Sequence, residues 1–307
     1  MRRSVWWWAG GLAVVGVAAA VAGAQQGIPQ APPPNAPAMG AIVDAYAIAS
    51  QSWLARLLPI AQHLFVVLAG IEVALSGAIY GLRRGNLDDL TAGLVMKVGV
   101  LMFLFMLITA FPVWIPVIVQ GFAAAGEQAI GAVGVANPSD VMDIGVSIAG
   151  QLLHALDGYG VLQHPATMLL AVVGALIVLL AYMAIAIQLI MLWVESYIVL
   201  TGAAFILGFA AFRATAGYAE GYLNYVVTVG IRIFLLYLVV AVGFEQSQQW
   251  MALLQADTVW GAYGTAAWQV IGGIVVFAVM ALRIPNTIAS RITASPSLGI
   301  AAALRAT

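Results

Sequence analysis

Cysteine is absent from the 307 residues. That excludes disulfides, thiol nucleophiles and cysteine-ligated metals. Any part of the chain that stands outside a membrane must hold its shape by packing alone. Charge is almost as scarce, at 7% of residues against about 25% in an ordinary soluble domain. The 11 basic and 12 acidic residues nearly cancel, to a net charge of −1, so nothing in the overall charge draws the protein to nucleic acid or to an acidic partner. The three histidines, His63, His154 and His164, are scattered, and neither His154 nor His164 has a second metal ligand at helical spacing. No HExxH zinc pattern, no GxSxG nucleophile turn and no GxxxxGK[ST] phosphate loop is present. The chain is expected not to be an enzyme and to carry no cofactor and no metal.

What the chain has in abundance is apolar sequence. Hydrophobic residues make up 64% and the mean hydropathy is +1.03. One buried core cannot absorb that much. It calls for runs of about 20 apolar residues, each crossing a bilayer. The expected fold class is all-α, a polytopic membrane helical protein with about five transmembrane helices plus amphipathic helices outside the membrane.

Residues 1–24 read as a signal peptide. Arg2 and Arg3 form a positive start, Val5 to Val21 an apolar stretch, and Ala22-Gly23-Ala24 a small-residue cleavage site. An uncleaved signal anchor is the other reading. Residues 25–58 begin with an extended linker rich in proline (Pro29, Pro32, Pro33, Pro34, Pro37). They continue as an amphipathic helix from Ala41 to Leu58, with Ile42, Tyr46, Ala49 and Trp53 recurring on one face and Pro59 expected to end it. That helix would lie on the membrane surface or dock a partner outside it.

The transmembrane domain is expected over 59–284, with spans near 60–82, 90–119, 166–212, 222–244 and 266–282. The stretch 166–212 is too long for one perpendicular crossing and just long enough for two. Arginine placement decides between the counts, because basic residues gather on the cytoplasmic side. With five spans, Arg83, Arg84, Arg213, Arg283, Arg291 and Arg305 fall inside and only Arg56 outside. With six, Arg213 and the three C-terminal arginines would fall outside. The expectation is an outside loop at 120–165, a cytoplasmic tail at 285–307, and a long, tilted or bent element at 166–212. Within the loop, Asn137-Pro138-Ser139-Asp140 reads as a helix start. Val141, Ile144, Ile148 and Leu152 then form an apolar stripe that a partner could cover.

Charges inside spans are costly and therefore informative. Glu72 lies near the middle of the first span and Lys97 one to two turns into the second, so the short hairpin sets them at similar depth. Glu195 and Arg232 form a second candidate pair, from the third and fourth spans. The first pair is either a structural lock on the hairpin or part of a polar wall between subunits, and the heights of the second depend on how the third element bends. Gly70, Gly77 and Gly81, with Ala74 and Ala78 between them, suit close helix packing.

Several weak patterns in order give the chain a resemblance to a known family. They are SWLARLLPIAQHLF after the proline-rich linker, the hairpin EVALSGAIYGLRRGNLDDL, the long WVESYIVLTGAAFILGFAAFRATAGYAEGYLNYVVTVGIRIFLLYLVVAVG, and the tail RIPNTIASRITASPSLG. Together they resemble the TrbL-type inner-membrane subunits of bacterial conjugation and type IV secretion machines, the sixth VirB-class component. The resemblance implies a multi-pass protein of the bacterial inner membrane, with its N-terminus in the periplasm after signal cleavage and its C-terminus in the cytoplasm. It implies a platform or channel subunit that assembles with copies of itself in a ring. Its implied partners are a periplasmic stalk subunit, inner-membrane and ATPase subunits, membrane lipid, and a translocated DNA-protein or protein substrate. The rival reading is a secondary transporter for a small solute. That class is built from inverted repeats, and the chain has no evident internal repeat.

Overall fold

The computed structural model describes residues 38–82, 87–130, 137–156, 165–255 and 264–292. The signal, most of the proline-rich linker, the Arg83-Arg84 turn, His164 and the end of the tail lie outside these described residues. The described residues are helical, with no strand among them. In chain order they form α1 (Ala38–Leu82), α2 (Leu87–Thr109), α3 (Phe111–Ile130), α4 (Pro138–His154) and α5 (Pro165–Ile206). A 3-10 segment (Leu207–Ala211), α6 (Ala216–Leu254) and α7 (Thr265–Ile292) complete the order. α1, α5, α6 and α7 are each long and apolar enough to cross a bilayer, and the bent pair α2 and α3 makes a fifth candidate. This is a multi-pass membrane protein.

α5 and α6 form the centre. α5 packs against α1, α4, α6 and α7, and α6 packs against α3, α5 and α7. Tyr182, Ile185, Leu189, Ile233 and Leu236 are buried between them. Small residues set the spacing. At Gly145 of α4, an added Cβ would stand 2.5 Å from the Cβ of Tyr182. At Gly243 of α6, it would overlap the ring of Phe277 on α7. The Tyr182 hydroxyl pairs with Ser247 Oγ at 2.6 Å, which gives the one polar atom of this aromatic cluster a partner.

Proline placement corrects three boundaries expected from the sequence. Pro59 does not end a helix: α1 runs through it for 45 residues, so the amphipathic stretch and the first span are one rod. A proline removes its own N–H, which leaves the carbonyl four residues back unpaired. Here that carbonyl belongs to Ala55, and both Ala55 and Pro59 are exposed, so it can reach water or a lipid headgroup. The expected second span at 90–119 is two helices that meet at 68°. Pro112 cannot donate to the Ile108 carbonyl, and the Trp114 indole N–H instead reaches back to the Leu107 carbonyl at 2.9 Å. The rings of Phe111 and Trp114 pack edge-on in the elbow, 5.7 Å apart. Pro285 likewise lies within α7 rather than beyond it. The side chains of Asn286 and Thr287 donate to the carbonyls of Leu282 and Arg283 at 3.1 and 2.9 Å.

The region 166–212 is a single unbroken 42-residue helix with the 3-10 segment at its end, about 63 Å long without that segment. Its end runs alongside α1 in the same direction. Gly208 lies against the Ala61 carbonyl, and the amide of Arg213 reaches Glu72, further along α1.

Candidate functional site

The first polar cluster joins three parts of the fold. Glu72 on α1 and Lys97 on α2 meet at 2.8 Å, with side chains 0% and 4% exposed. Lys97 Nζ also donates to Ser76 Oγ at 2.5 Å, and that hydroxyl donates to the Glu72 carbonyl one turn back. The second carboxylate oxygen of Glu72 accepts the backbone N–H of Arg213 at 3.2 Å, in the turn between the 3-10 segment and α6. A charge in a dry interior is tolerable only when it is paired and its remaining hydrogen-bonding capacity is used. Glu72 meets that condition with both oxygens. The cluster therefore ties the α1–α2 hairpin to the α5–α6 turn.

Ser76 and the Arg213 amide were not singled out from the sequence. Ser76 carries a faint mark, since it stands four residues after Glu72 and so on the same face of a helix. A backbone amide leaves none.

The second cluster lies on α5 and α6. Glu195 is the lone charged residue in 165–211 and Arg232 the lone charged residue in 223–244. Because α5 is unbroken and the turn after it is short, the two stand at matching heights, each about 25 Å from that turn. Arg232 Nη1 donates to Glu195 Oε1 at 3.0 Å, and the Tyr225 hydroxyl donates to the same oxygen at 2.5 Å. Tyr222 packs edge-on against Tyr225, with centroids 6.1 Å apart. Unlike the first cluster this one is open: Arg232 is 22% and Glu195 28% exposed. Sequence reasoning did not single out Tyr225.

The two apolar stripes proposed for partners have different fates. On α1, Ile42, Tyr46 and Trp53 are exposed and Ala49 is half-buried, with Tyr46 edge-on to Trp53. The face of α1 turned inward is instead Leu54, Leu58 and Phe65, packed in the core, with Ala47 and Ala61 also buried. On α4 the expectation is corrected. Val141, Ile148 and Leu152 are buried and Ile144 is half-buried, all within the protein's own core, where α4 packs on α5. The start of α4 is as the sequence suggests, with Asn137 capping the Ser139 amide at 3.1 Å. But a stripe that fills the molecule's own core is not free for a partner. Among the described residues, no three His, Asp or Glu side chains gather as a metal site would need.

The family described as TrbL/VirB6 plasmid conjugal transfer protein matches residues 63–284. The chain belongs to this family. The match takes in both polar clusters and stops short of the exposed face on the first half of α1. Two relatives agree with it. The "Probable conjugal transfer protein TrbL" of Sinorhizobium fredii is 25% identical over 240 residues, 78% of this chain and 59% of the relative. The "Conjugal transfer protein TrbL" of Rhizobium radiobacter is 24% identical over 238 residues, 77% and 58% respectively. The chain thus spans a little under three-fifths of the length of these TrbL relatives.

Proposed function

We propose that this TrbL-family chain is an inner-membrane platform subunit of a type IV secretion machine for conjugative transfer. It acts by assembling with copies of itself in a ring and by helping a DNA-protein or protein substrate pass, not by catalysis. The family match over residues 63–284 is the observation that carries this reading. Three features of the fold support it. The apolar helices suit a membrane platform. Buried and half-buried ion pairs pin neighbouring helices in one arrangement. The exposed face of Ile42, Tyr46 and Trp53 offers a surface to lipid or to a periplasmic stalk subunit. Inner-membrane and ATPase subunits would supply the remaining contacts and the energy. The arginine distribution supports a periplasmic N-terminus after signal cleavage and a cytoplasmic C-terminus.

The test is a clean deletion in donor cells, complemented on a plasmid, with conjugation frequency as the readout. Loss of transfer on deletion and its recovery on complementation are expected. A deletion strain that conjugates normally but loses uptake of a small solute would replace this reading with a secondary transporter.

A further inference from the structure

We infer that the face of α5 and α6 carrying Glu195, Arg232 and Tyr225 is turned toward water in the assembled membrane domain, not toward lipid or another protein surface. The inference rests on the proposed function in one respect: the water is that of a path a hydrated, polar substrate could follow.

The comparison between the two ion pairs carries the argument. Glu72 and Lys97 show how this protein seals a pair: 0% and 4% exposed, with both carboxylate oxygens and a neighbouring hydroxyl engaged. Glu195 and Arg232 are treated otherwise. They are 28% and 22% exposed, and a single carboxylate oxygen of Glu195 takes the donors of both Tyr225 and Arg232. Charged groups left this exposed are unfavourable against hydrocarbon. Water removes that cost.

The pair's height matters too. At about 25 Å from the α5–α6 turn, it falls within a hydrocarbon layer about 30 Å thick if that turn sits at the membrane boundary. The exposed surface beside it carries two tyrosines among apolar side chains: Tyr225 is 38% exposed and Tyr218, two turns earlier on α6, 71%, while Met191 and Ile198 on α5 are 60% and 49% exposed. No tyrosine stands among the large exposed residues described on α2 and α7.

The native chain has no cysteine, so single cysteines report without background. Met191 and Ile198, both exposed, stand one turn to either side of Glu195 on α5. Val276 on α7, exposed and surrounded by apolar residues, is the lipid-facing control. Met191→Cys, Ile198→Cys and Val276→Cys would be made in donor cells carrying the whole transfer system. Each would be treated in membranes with a permanently charged methanethiosulfonate and, separately, with lipid-soluble N-ethylmaleimide.

Thiol reagents attack the thiolate, which hydrocarbon suppresses. Met191→Cys and Ile198→Cys should therefore react with the charged reagent roughly tenfold or more faster than Val276→Cys. Reaction of both cysteines with the charged reagent no faster than at Val276→Cys, whether or not the maleimide reacts, would place the face away from water and overturns the inference. The deletion assay stays separate. Loss of conjugation in the deletion strain, with the two cysteines no more reactive than Val276→Cys, keeps the function and removes the water-facing surface. Normal conjugation in the deletion strain removes the function, while the labelling pattern still decides what the face meets.

Discussion

Glu72 accepts hydrogen bonds from two elements that are far apart in sequence, Lys97 on α2 and the Arg213 amide in the turn before α6. Removing one member of a buried pair strands the other and costs about 3–5 kcal/mol, whereas removing both costs less. Glu72→Gln and Lys97→Met should each lower the amount of protein in membranes, and the double variant should recover part of it. A double variant no better than the worse single would show that the pair contributes no coupling. Ile148 on α4 is fully buried, so Ile148→Asp would force an unpaired carboxylate into the core. It should deplete the protein itself, as read by immunoblot, rather than spare the protein and block a partner. Both charged pairs were legible in the sequence because charges are so rare in it. The fate of the α4 stripe was not legible, since an apolar stripe looks the same whether it faces its own molecule or another.

Helix type and approximate position followed from the apolar runs, and the helix boundaries did not. Proline was the reason. Pro59 was expected to end a helix, yet α1 runs through it, as α7 runs through Pro285, while α2 and α3 part at the elbow beside Pro112. What differs is the neighbourhood. The elbow has an indole to take up a stranded carbonyl and two rings to fill the corner, and the α7 proline has Asn286 and Thr287 beside it. At Pro59 the helix is already continuous, so Pro59→Ala restores a missing hydrogen bond without asking for any new structure. In a helix interior the proline penalty is about 3 kcal/mol. Pro59→Ala should therefore raise the thermal midpoint of the purified protein. An unchanged or lower midpoint would argue that the two halves of α1 are not one rod.

For the whole molecule, the arrangement across the membrane is the quantity most open to measurement. α1 extends ten residues past Glu72, so the α1–α2 hairpin reaches about 15 Å beyond the α5–α6 turn. In the proposed orientation both ends of that offset face the cytoplasm. Alkaline phosphatase fused at Gly134 or Asp257 should be active and at Thr307 inactive, with the reverse pattern for a fluorescent protein. Phosphatase activity at Thr307 would overturn the five-span arrangement. Four spans, and the bent pair as a fifth candidate, were legible from apolar length. That one of them would break at 68° was not legible, because the elbow is made by packing around a proline and not by the proline alone.

The unbroken length of α5 also carries a demand about thickness. Transmembrane helices tilt by up to about 40° from the membrane normal. At that limit a rod of about 63 Å still has a projected height near 48 Å, against a hydrocarbon layer of about 30 Å. Roughly 18 Å of apolar surface must then stand clear of the acyl chains or be met by a locally swollen bilayer. Mismatch of this sign favours longer lipids. Reconstituted without partners, the protein should gain thermal stability as acyl chains are lengthened from 14 to 22 carbons, a series that spans the adjustment bilayers can make. Stability that fell along the series would mean that the surplus apolar length of α5 is already covered within the protein.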